Sequence, residues 1–236
     1  MAAPIGRSAS KLAVKVVAQT KKESIGAIIF LHGSGDSGEH FHSWIVDTLG
    51  EELSFPHLRA LYPTAPSRPY SAAGGMCSNV WFNRYTIEFE SPEDTSSIQH
   101  MNVEISKLIQ DQINSGIPKE RIIIGGFSMG GSMALHVAYS QHTSIAGVFT
   151  LSSFLNQESL VYKALQAHSG PIPPLFACHG NADELVLYDW GKSTVETLQE
   201  HNVQTEFHTI PGLSHELHKG VLQQLKAWIL KVLPEA

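Results

Sequence analysis

Cysteine is scarce in this 236-residue sequence, which contains only Cys77 and Cys178. Two thiols cannot build the dense disulfide framework of a small secreted domain, so a reducing compartment is expected. Cys178 follows the apolar residues 175–177. That neighbourhood predicts a buried strand and favours an inert thiol over a nucleophilic one.

Charged residues are also few. Asp, Glu, Lys and Arg together make up 16% of the chain, and the formal net charge is −6. A nucleic-acid-binding protein presents a basic face, which this balance does not favour, so no nucleic-acid partner is expected. Apolar residues account for 42% of the chain, a share that predicts a compact globular core rather than a disordered chain.

Long apolar runs are missing as well. No stretch approaches the roughly 20 apolar residues that cross a bilayer as a helix, so no transmembrane span is expected. Residues 1–7 do not contain the apolar core of a signal peptide. Ala2 stands where N-myristoylation requires glycine. These features together predict a cytosolic protein.

Metal-ligand spacing is a further absence. His32, His40 and His42 come nearest to a histidine cluster, but their spacing fits no zinc pattern. His32 belongs to a glycine-rich segment, and His40 and His42 are predicted to be exposed near the start of a helix. Neither a metal nor a cofactor is expected.

What the chain does contain is an alternation of strand-length apolar runs with amphipathic helical stretches. The predicted strands are residues 11–18, 27–32, 58–62, 121–125, 145–151, 175–179 and 205–210. Helical periodicity is clearest in residues 92–115 and 217–233. Residues 28–31 and 122–124 are continuously apolar, which is typical of strands covered by helices on both faces. The alternation predicts a single α/β domain over residues 1–236, with a mostly parallel, doubly wound sheet.

A nucleophile motif, G-x-S-x-G, occurs at residues 126–130. It follows the predicted strand 121–125 and precedes a helical run over 132–139, the strand–turn–helix context of the α/β-hydrolase fold. The glycines on either side remove side chains that would collide in so tight a turn. A glycine-rich start of a helix is the alternative, which this context disfavours. Ser128 is therefore the predicted nucleophile.

A second glycine-rich segment, residues 31–38, follows the early strand 27–32. Acyl transfer needs two backbone N–H groups that point at the developing oxyanion. The N–H groups of Ser34 and of Met129, the residue after the nucleophile, are the predicted donors. A phosphate-binding loop is the alternative, which the absence of a G-x-x-x-x-G-K-[ST] pattern disfavours.

The base is expected downstream, because α/β-hydrolases carry the nucleophile, the acid and the histidine in that chain order. His215 lies in a predicted turn between the last strand and the last helix. Loops at the carboxyl ends of parallel strands are where such sheets build their sites. His215 is the predicted base, and His218 is the alternative.

Asp183 is the predicted acid, because it lies in the loop that follows the strand 175–179. A carboxylate there can accept a hydrogen bond from histidine Nδ1–H, fix its tautomer and stabilise the imidazolium. Glu184 is adjacent to it. Asp189, at the start of a predicted helix, is a further alternative for which helix capping is the simpler role.

The connection 63–85 is long for a compact domain, and it contains prolines, glycines and the pair Trp81-Phe82. A loop of this length is commonly functional, and the aromatic pair predicts a packed wall or cover. Six residues are the predicted lining of a substrate pocket: Trp81, Phe82, Phe154, Leu155, Leu185 and Val186. They either line a deep apolar tunnel or partly fill it.

Short motifs along the chain resemble those of the acyl-protein thioesterase/lysophospholipase family. They are residues 31–36, 63–66, 81–82, 125–131, 179–183 and 214–215, and they occur in the family's order and spacing. The similarity extends over about residues 27–234 and is greatest to a lysophospholipase-like branch. It implies an α/β-hydrolase fold, a Ser128–Asp183–His215 triad and oxyanion donors at Ser34 and Met129.

The same resemblance implies a serine hydrolase that cleaves acyl thioesters or carboxylic esters. S-acylated proteins or small acyl esters are the expected substrates, with protein depalmitoylation as the first expectation. A general short-chain carboxylesterase and a lysophospholipase use the same machinery and are the alternatives. A catalytically silent binding protein on the same fold is disfavoured by the complete triad and by both glycine-rich loops.

Two positions and one loop depart from the family pattern. Met129 replaces glutamine, Ser34 replaces leucine, and residues 181–186 replace a D-x-D-P-L-V type of acid loop. These replacements leave the backbone N–H donors of the oxyanion hole in place, but they change the side chains around the acyl pocket. Bulky Met129 and the aromatic-ended connection 63–85 predict a partly filled pocket that favours short to medium acyl chains.

Overall fold

The structure is a computed structural model that describes residues 12–235. Residues 1–11 and 236 lie outside the described part, and with them the amino-terminal segment and the first residue of the predicted strand 11–18. Residues 12–235 contain the strands β1 (Val14–Val17), β2 (Gly26–Leu31), β3 (Leu58–Pro63), β4 (Ser67–Pro69), β5 (Cys77–Asn79), β6 (Ile122–Phe127), β7 (Gly147–Leu151), β8 (Leu175–Gly180) and β9 (Thr205–Ile210). The α-helices in the same range are α1 (Gly38–Leu49), α2 (Thr95–Asn114), α3 (Met129–Gln141), α4 (Leu160–Ala167), α5 (Tyr188–Glu200) and α6 (Lys219–Val232). No helix in this part of the chain combines the length and the apolar character needed to cross a bilayer.

Seven of the strands form one sheet in the order β1-β3-β2-β6-β7-β8-β9. β1 pairs antiparallel with β3, and the remaining neighbours are parallel. Ile29 in β2, for example, lies opposite Leu61 in β3 and Ile124 in β6. The carboxyl ends of the parallel strands therefore meet at one edge of the sheet, where α/β proteins place their sites.

Helices cover both faces of the sheet. Side chains of adjacent strand residues point to opposite faces, so a continuously apolar strand has apolar side chains to bury on each face. Ile28 and Ile123 pack into a cluster with buried residues of α1 and α6. Ile29 and Ile124 pack into a second cluster with α2 and α3. This arrangement explains the continuously apolar strands and confirms the predicted α/β fold class.

Some element boundaries differ from those predicted. The strand expected at 121–125 runs from Ile122 to Phe127, because residues 119–121 form a 3-10 turn. β7 begins at 147 rather than 145, since a turn closed by Ile145 N–H and His142 O (3.1 Å) precedes it. The helix expected at 132–139 begins earlier, directly after Ser128. Strand and helix thus meet at the predicted nucleophile.

Residues 63–85, called the cover segment from here on, form a packed wall as predicted. β4 and β5 pair antiparallel within it. Tyr70, Val80, Trp81 and Phe82 are buried and belong to the same core cluster as α2 and α3. The segment is therefore part of the globular body.

The two cysteines lie in different surroundings. Cys178 is buried in β8, as predicted, and burial raises the pKa of its thiol to about 12. A thiol with so high a pKa is protonated at neutral pH and is a poor nucleophile. Cys77 lies exposed on β5.

Candidate active site

Ser128 occupies a strained turn between β6 and α3. Its backbone angles are φ 54° and ψ −123°, a region that residues with a Cβ rarely adopt. A Cβ added at Gly126 would lie 2.2 Å from Leu31 O, and one added at Gly130 would lie 2.1 Å from the same oxygen. Glycine is therefore required on both sides of the serine. Ser128 N–H donates to Leu151 O at 2.9 Å, which ties the turn to β7.

Asp183 and His215 lie in the loops that follow β8 and β9. Asp183 Oδ2 is 2.7 Å from His215 Nδ1. Asp183 Oδ1 accepts hydrogen bonds from the backbone N–H groups of Leu185 (3.0 Å) and Val186 (2.9 Å). None of the Asp183 side chain is exposed. Both carboxylate oxygens are thus engaged, one by the loop and one by the histidine.

His179 in β8 is a site residue to which the sequence analysis gave no role. Its Nε2 lies 2.8 Å from Val186 O and 3.4 Å from Asp183 Oδ2. A carbonyl oxygen only accepts, so Nε2 carries the proton. Burial raises the pKa of Asp183, but hydrogen bonds from His179, His215 and the Val186 N–H outweigh burial and hold that pKa well below its usual value. Asp183 is consequently an anion beside His215.

The orientation of His215 follows from its contact with Asp183. Nδ1 donates to the carboxylate, which leaves Nε2 as the acceptor nitrogen. The ring packs against Phe127, with 4.7 Å between ring centroids, and Phe127 in turn packs against Trp44 at 5.1 Å. His218, the alternative base, is the residue directly before α6. Both alternatives to the acid, Glu184 and Asp189, are exposed.

Ser34 and Met129 lie together at the wall of the cavity that contains Ser128. The Ser34 hydroxyl donates to Met129 Sδ at 3.6 Å, which joins the loop after β2 to the start of α3. Met129 is the first residue of α3, where a backbone N–H has no acceptor within the helix. The two predicted oxyanion donors are therefore neighbours beside Ser128.

His32 anchors the loop that carries Ser34. Its Nδ1 lies 2.6 Å from Gly33 O, and its Nε2 accepts the N–H of Ala65 at 3.0 Å. Trp81 Nε1 donates to His32 O at 2.8 Å. Burial lowers the pKa of His32, despite the opposing effect of the Gly33 carbonyl, and a neutral ring is what the Ala65 contact requires. The cover segment thus fixes the Ser34 loop through one histidine.

The glycines at 33, 35 and 38 also satisfy the G-x-G-x-x-G spacing of dinucleotide-binding loops, so spacing alone does not separate the two functions. In the structure this loop packs against the nucleophile: a Cβ at Gly33 would lie 3.5 Å from Ser128 Cβ. Ser34 lines the same cavity as Ser128. The loop therefore belongs to the candidate active site.

The cavity at Ser128 measures about 190 Å³. Three of the predicted lining residues contribute to it, namely Phe154, Leu185 and Val186. Further lining comes from Asp36, Trp44, Tyr70, Arg84, Ile87 and Phe127, in addition to the residues around Ser128. Sequence reasoning missed Tyr70 and Arg84, because a search for apolar lining overlooks polar side chains buried by the tertiary fold.

The prediction that Trp81, Phe82 and Leu155 line the cavity is wrong. Trp81 lies beneath the Ser34 loop, with its indole N–H on His32 O. Phe82 is buried under the Arg84 guanidinium, 5.1 Å from the ring centroid. Leu155 is 1% exposed and packs in the core cluster with α2 and α3. Their apolar side chains stabilise the walls from behind.

His42 is a second correction. It was expected to be exposed, but it is buried, with Nε2 2.9 Å from Glu52 Oε1. His40 is exposed, as predicted, and its Nδ1 lies 2.7 Å from Asp36 Oδ1. Among residues 12–235, no group of three or more His, Cys, Asp or Glu side chains could hold a metal ion.

Comparison with known proteins accounts for this arrangement. The sequence model of the Phospholipase/Carboxylesterase family matches residues 12–233. The chain belongs to this family. It is 51% identical to mouse Lysophospholipase-like protein 1 over 219 residues, which cover 93% of this chain and 91% of that protein. It is 32% identical to Acyl-protein thioesterase 1 of Mycosarcoma maydis, over 88% of this chain and 91% of the fungal protein.

Solved structures of other proteins are similar to this member of the family. Acyl-protein thioesterase 2 of Zea mays superposes with a TM-score of 0.79 at 26% identity and covers 94% of this chain and 99% of its own. SOBER1 of Arabidopsis thaliana gives a TM-score of 0.79 at 25% identity, over 89% of this chain and 99% of its own. These relatives confirm the predicted α/β-hydrolase fold and the predicted class of enzyme, a serine hydrolase.

Proposed function

We propose that the protein hydrolyses acyl thioesters and carboxylic esters with Ser128 as nucleophile, His215 as base and Asp183 as its orienting acid. The observation that carries this proposal is the 2.7 Å contact between Asp183 Oδ2 and His215 Nδ1, beside a cavity that contains Ser128. A buried, anionic carboxylate at that distance fixes the His215 tautomer and stabilises the imidazolium that forms during proton transfer.

In the first half of the reaction, Ser128 Oγ attacks the acyl carbonyl carbon while His215 Nε2 takes the hydroxyl proton. The N–H groups of Ser34 and Met129 donate to the resulting oxyanion. The tetrahedral intermediate then collapses, and the thiol or alcohol leaves with the proton from His215. The acyl group remains on Ser128 as an ester.

In the second half, water replaces the leaving group. His215 Nε2 takes a proton from that water, whose oxygen attacks the acyl-serine carbonyl. The same two donors hold the second oxyanion, and collapse returns the proton to Ser128 and releases the carboxylic acid. The cycle needs no metal or cofactor, and the same steps apply to a thioester and to an oxyester.

The substrates follow from the relatives and from the cavity. Relatives named acyl-protein thioesterase support S-acylated proteins as substrates. The cytosol is the location that we propose for this reaction. The cavity of about 190 Å³ is smaller than the roughly 300–1,000 Å³ of a site for a drug-sized ligand. This volume favours a second candidate, short-chain ester hydrolysis, for which small acyl esters are the substrates.

A fluorophosphonate probe tests the proposal. Ser128 is expected to react with it, and labelling is expected to vanish in Ser128→Ala. Asp183→Asn is expected to lower kcat for a short-chain 4-nitrophenyl ester by about 10⁴, because the amide stabilises the wrong histidine tautomer. Glu184→Gln, at the exposed neighbouring carboxylate, is the matched control and should leave kcat unchanged. Full labelling of Ser128→Ala would reject the nucleophile assignment.

A further inference from the structure

Arg84 is a buried cation in the wall of the catalytic cavity, and its partners are neutral. It is 6% exposed and lines the cavity that contains Ser128. Its Nη2 lies 2.9 Å from Ser132 Oγ, and its Nη1 lies 3.3 Å from Asn156 Oδ1. The guanidinium also lies over the ring of Phe154, 4.2 Å from the centroid. Dipoles and an aromatic face surround the charge, but they do not neutralise it.

Arg84 has no carboxylate partner within ion-pair distance in the described part of the chain. Among residues 12–235, the ion pairs within 4.0 Å do not include Arg84. Glu93 influences Arg84 from a greater distance, but its Oε1 lies 3.1 Å from His136 Nε2 and its Oε2 accepts the N–H of Leu160. Burial lowers the pKa of Arg84 to about 10, so the guanidinium is cationic at neutral pH. A buried charge without an ion-pair partner is costly unless a ligand supplies the partner.

Tyr70 supplies a second donor in the same wall. It is 5% exposed, lines the cavity, and its hydroxyl oxygen has no hydrogen-bond partner among residues 12–235. Burial raises the pKa of Tyr70, and the nearby Ser34 hydroxyl and Arg84 guanidinium offset this only in part. Tyr70 is therefore protonated and can donate. Its hydroxyl therefore lies near both the Ser34 hydroxyl and the Arg84 guanidinium.

We infer that Arg84 and Tyr70 recognise the far end of the acyl group and select acyl chains that terminate in a carboxylate. The substrates would be half-esters or half-thioesters of short dicarboxylic acids, and this inference rests on the proposed function of Ser128. Guanidinium and phenol donors suit a carboxylate, which accepts charge-assisted hydrogen bonds on both oxygens. Neither donor gains from a methyl-ended chain.

The length of the selected chain follows from the cavity. At roughly 30 Å³ for each water-sized group, a volume of about 190 Å³ holds about six heavy atoms. Ile87 and Phe154 also line this space, and they provide apolar surface for the methylenes between the two carbonyl groups. Beyond the carbonyl that Ser128 attacks, an adipoyl group has four methylenes and a carboxylate, seven heavy atoms in all. That number is close to what the cavity holds, so the adipoyl ester is the probe.

The experiment compares 4-nitrophenyl esters that share a leaving group and differ only at the far end of the acyl chain. The adipoyl ester ends in a carboxylate, the adipamoyl ester in a neutral amide, and the hexanoyl ester in a methyl group. The 6-aminohexanoyl ester, which ends in a cation, is the charge-reversed control. With full-length enzyme, kcat/KM is expected to be at least about tenfold higher for the adipoyl than for the adipamoyl ester, and lowest for the cation.

Two variants test whether Arg84 and Tyr70 cause the preference for the adipoyl ester. Arg84→Met and Tyr70→Phe are each expected to lower the ratio of adipoyl to hexanoyl kcat/KM by about tenfold, because only the adipoyl carboxylate accepts hydrogen bonds from these two side chains. Tyr70→Phe removes only one hydroxyl, so it decides the matter if Arg84→Met does not fold. Arg68→Met, an arginine of the same cover segment outside the cavity lining, is the matched control and should keep the wild-type ratio.

Two outcomes would overturn the inference. One is a wild-type enzyme that hydrolyses the hexanoyl ester at least as fast as the adipoyl ester. The other is a preference for adipoyl that a folded Tyr70→Phe or Arg84→Met retains in full, which would make Arg84 a structural clamp for Ser132 and Asn156. Both leave Ser128-dependent ester hydrolysis intact. Loss of hydrolysis for the whole ester series would instead reject the proposed function, and the inference with it.

Discussion

His179 contacts the same carboxylate as the candidate base, since its Nε2 lies 3.4 Å from Asp183 Oδ2. The same Nε2–H donates to Val186 O at 2.8 Å. Val186 belongs to the loop whose backbone N–H groups at 185 and 186 donate to Asp183 Oδ1. His179 is buried and is pressed against α5, where a Cβ at Gly191 would lie 2.1 Å from its Nδ1. The helix thus fixes a ring that holds the acid loop in place.

We expect His179→Leu to lower kcat for a short-chain ester by about tenfold, because one hydrogen bond to a charged group is lost. His179→Gln, whose side-chain amide can replace the Nε2 donor, should recover most of that loss. KM should change little in both, since His179 does not line the cavity at Ser128. Equal kcat in His179→Leu and His179→Gln would show that the ring only fills space.

The backbone at Ser128 gives a stability prediction. A φ of 54° with a ψ of −123° suits glycine, and a residue with a Cβ bears a cost of about 1–3 kcal/mol there. Ser128→Gly should therefore raise the free energy of unfolding by about 1 kcal/mol while it abolishes hydrolysis. Urea denaturation measures the change.

Ser128→Ala is the control for that measurement. It removes the hydroxyl but keeps the Cβ, so its free energy of unfolding should stay near that of the wild type. If alanine stabilises the protein as much as glycine does, the gain comes from loss of the hydroxyl and the strained turn is not its cause.

The sequence predicts those residues of the site that chain order and local spacing position. It does not predict the residues that tertiary packing positions. Ser128 lies between a strand and a helix that the local pattern reveals, and Asp183 and His215 follow strands whose ends must meet at one edge of a parallel sheet. These residues could be predicted from chain order and spacing. The fold class could be predicted in the same way, since continuously apolar strands require cover on both faces.

Pocket lining could not be predicted so well. Trp81 and Phe82 are apolar and lie near the site in sequence, yet the cover segment turns them into the core. Tyr70 and Arg84 of the same segment line the cavity instead. In a helix or a strand, a regular repeat shows which side chains share a face. The cover segment is mostly irregular, so its sequence does not show which side chains point to the cavity. The burial of His42 was missed because its partner, Glu52, lies outside its own helix.

The contacts of His32 predict a role in positioning the Ser34 loop. His32→Phe keeps an aromatic ring but cannot accept the Ala65 N–H or contact Gly33 O through a ring nitrogen. We expect kcat to fall by about 10²-fold, the scale of one lost oxyanion donor, with little change in KM. His100→Phe, at an exposed position of α2, is the control and should behave as the wild type. A loss confined to KM would contradict a role in holding the oxyanion loop.

The buried contact between Glu93 and His136 predicts how stability depends on pH. Glu93 Oε1 lies 3.1 Å from His136 Nε2, and both side chains are almost fully enclosed. Burial raises the pKa of Glu93, but the interactions with His136, the Leu160 N–H and Ser159 outweigh burial and lower it overall. A carboxyl with a lowered folded-state pKa stabilises the protein fully above its unfolded-state pKa, and this contribution is lost as the pH falls through the folded-state value.

We therefore expect Glu93→Gln to lower the free energy of unfolding at pH 7 by about 2 kcal/mol, because a neutral amide replaces the carboxylate that contacts His136 and accepts the Leu160 N–H. The difference between variant and wild type should shrink as the pH falls below about 4, where the unfolded-state carboxyl is protonated and the wild type loses its advantage. Urea denaturation between pH 7 and pH 3 measures both effects. Glu90→Gln, at an exposed carboxylate three residues before Glu93, is the control. A difference that is equally large at both ends of this pH range would mean that shape or hydrogen bonding of the Glu93 side chain, and not its charge, stabilises the fold.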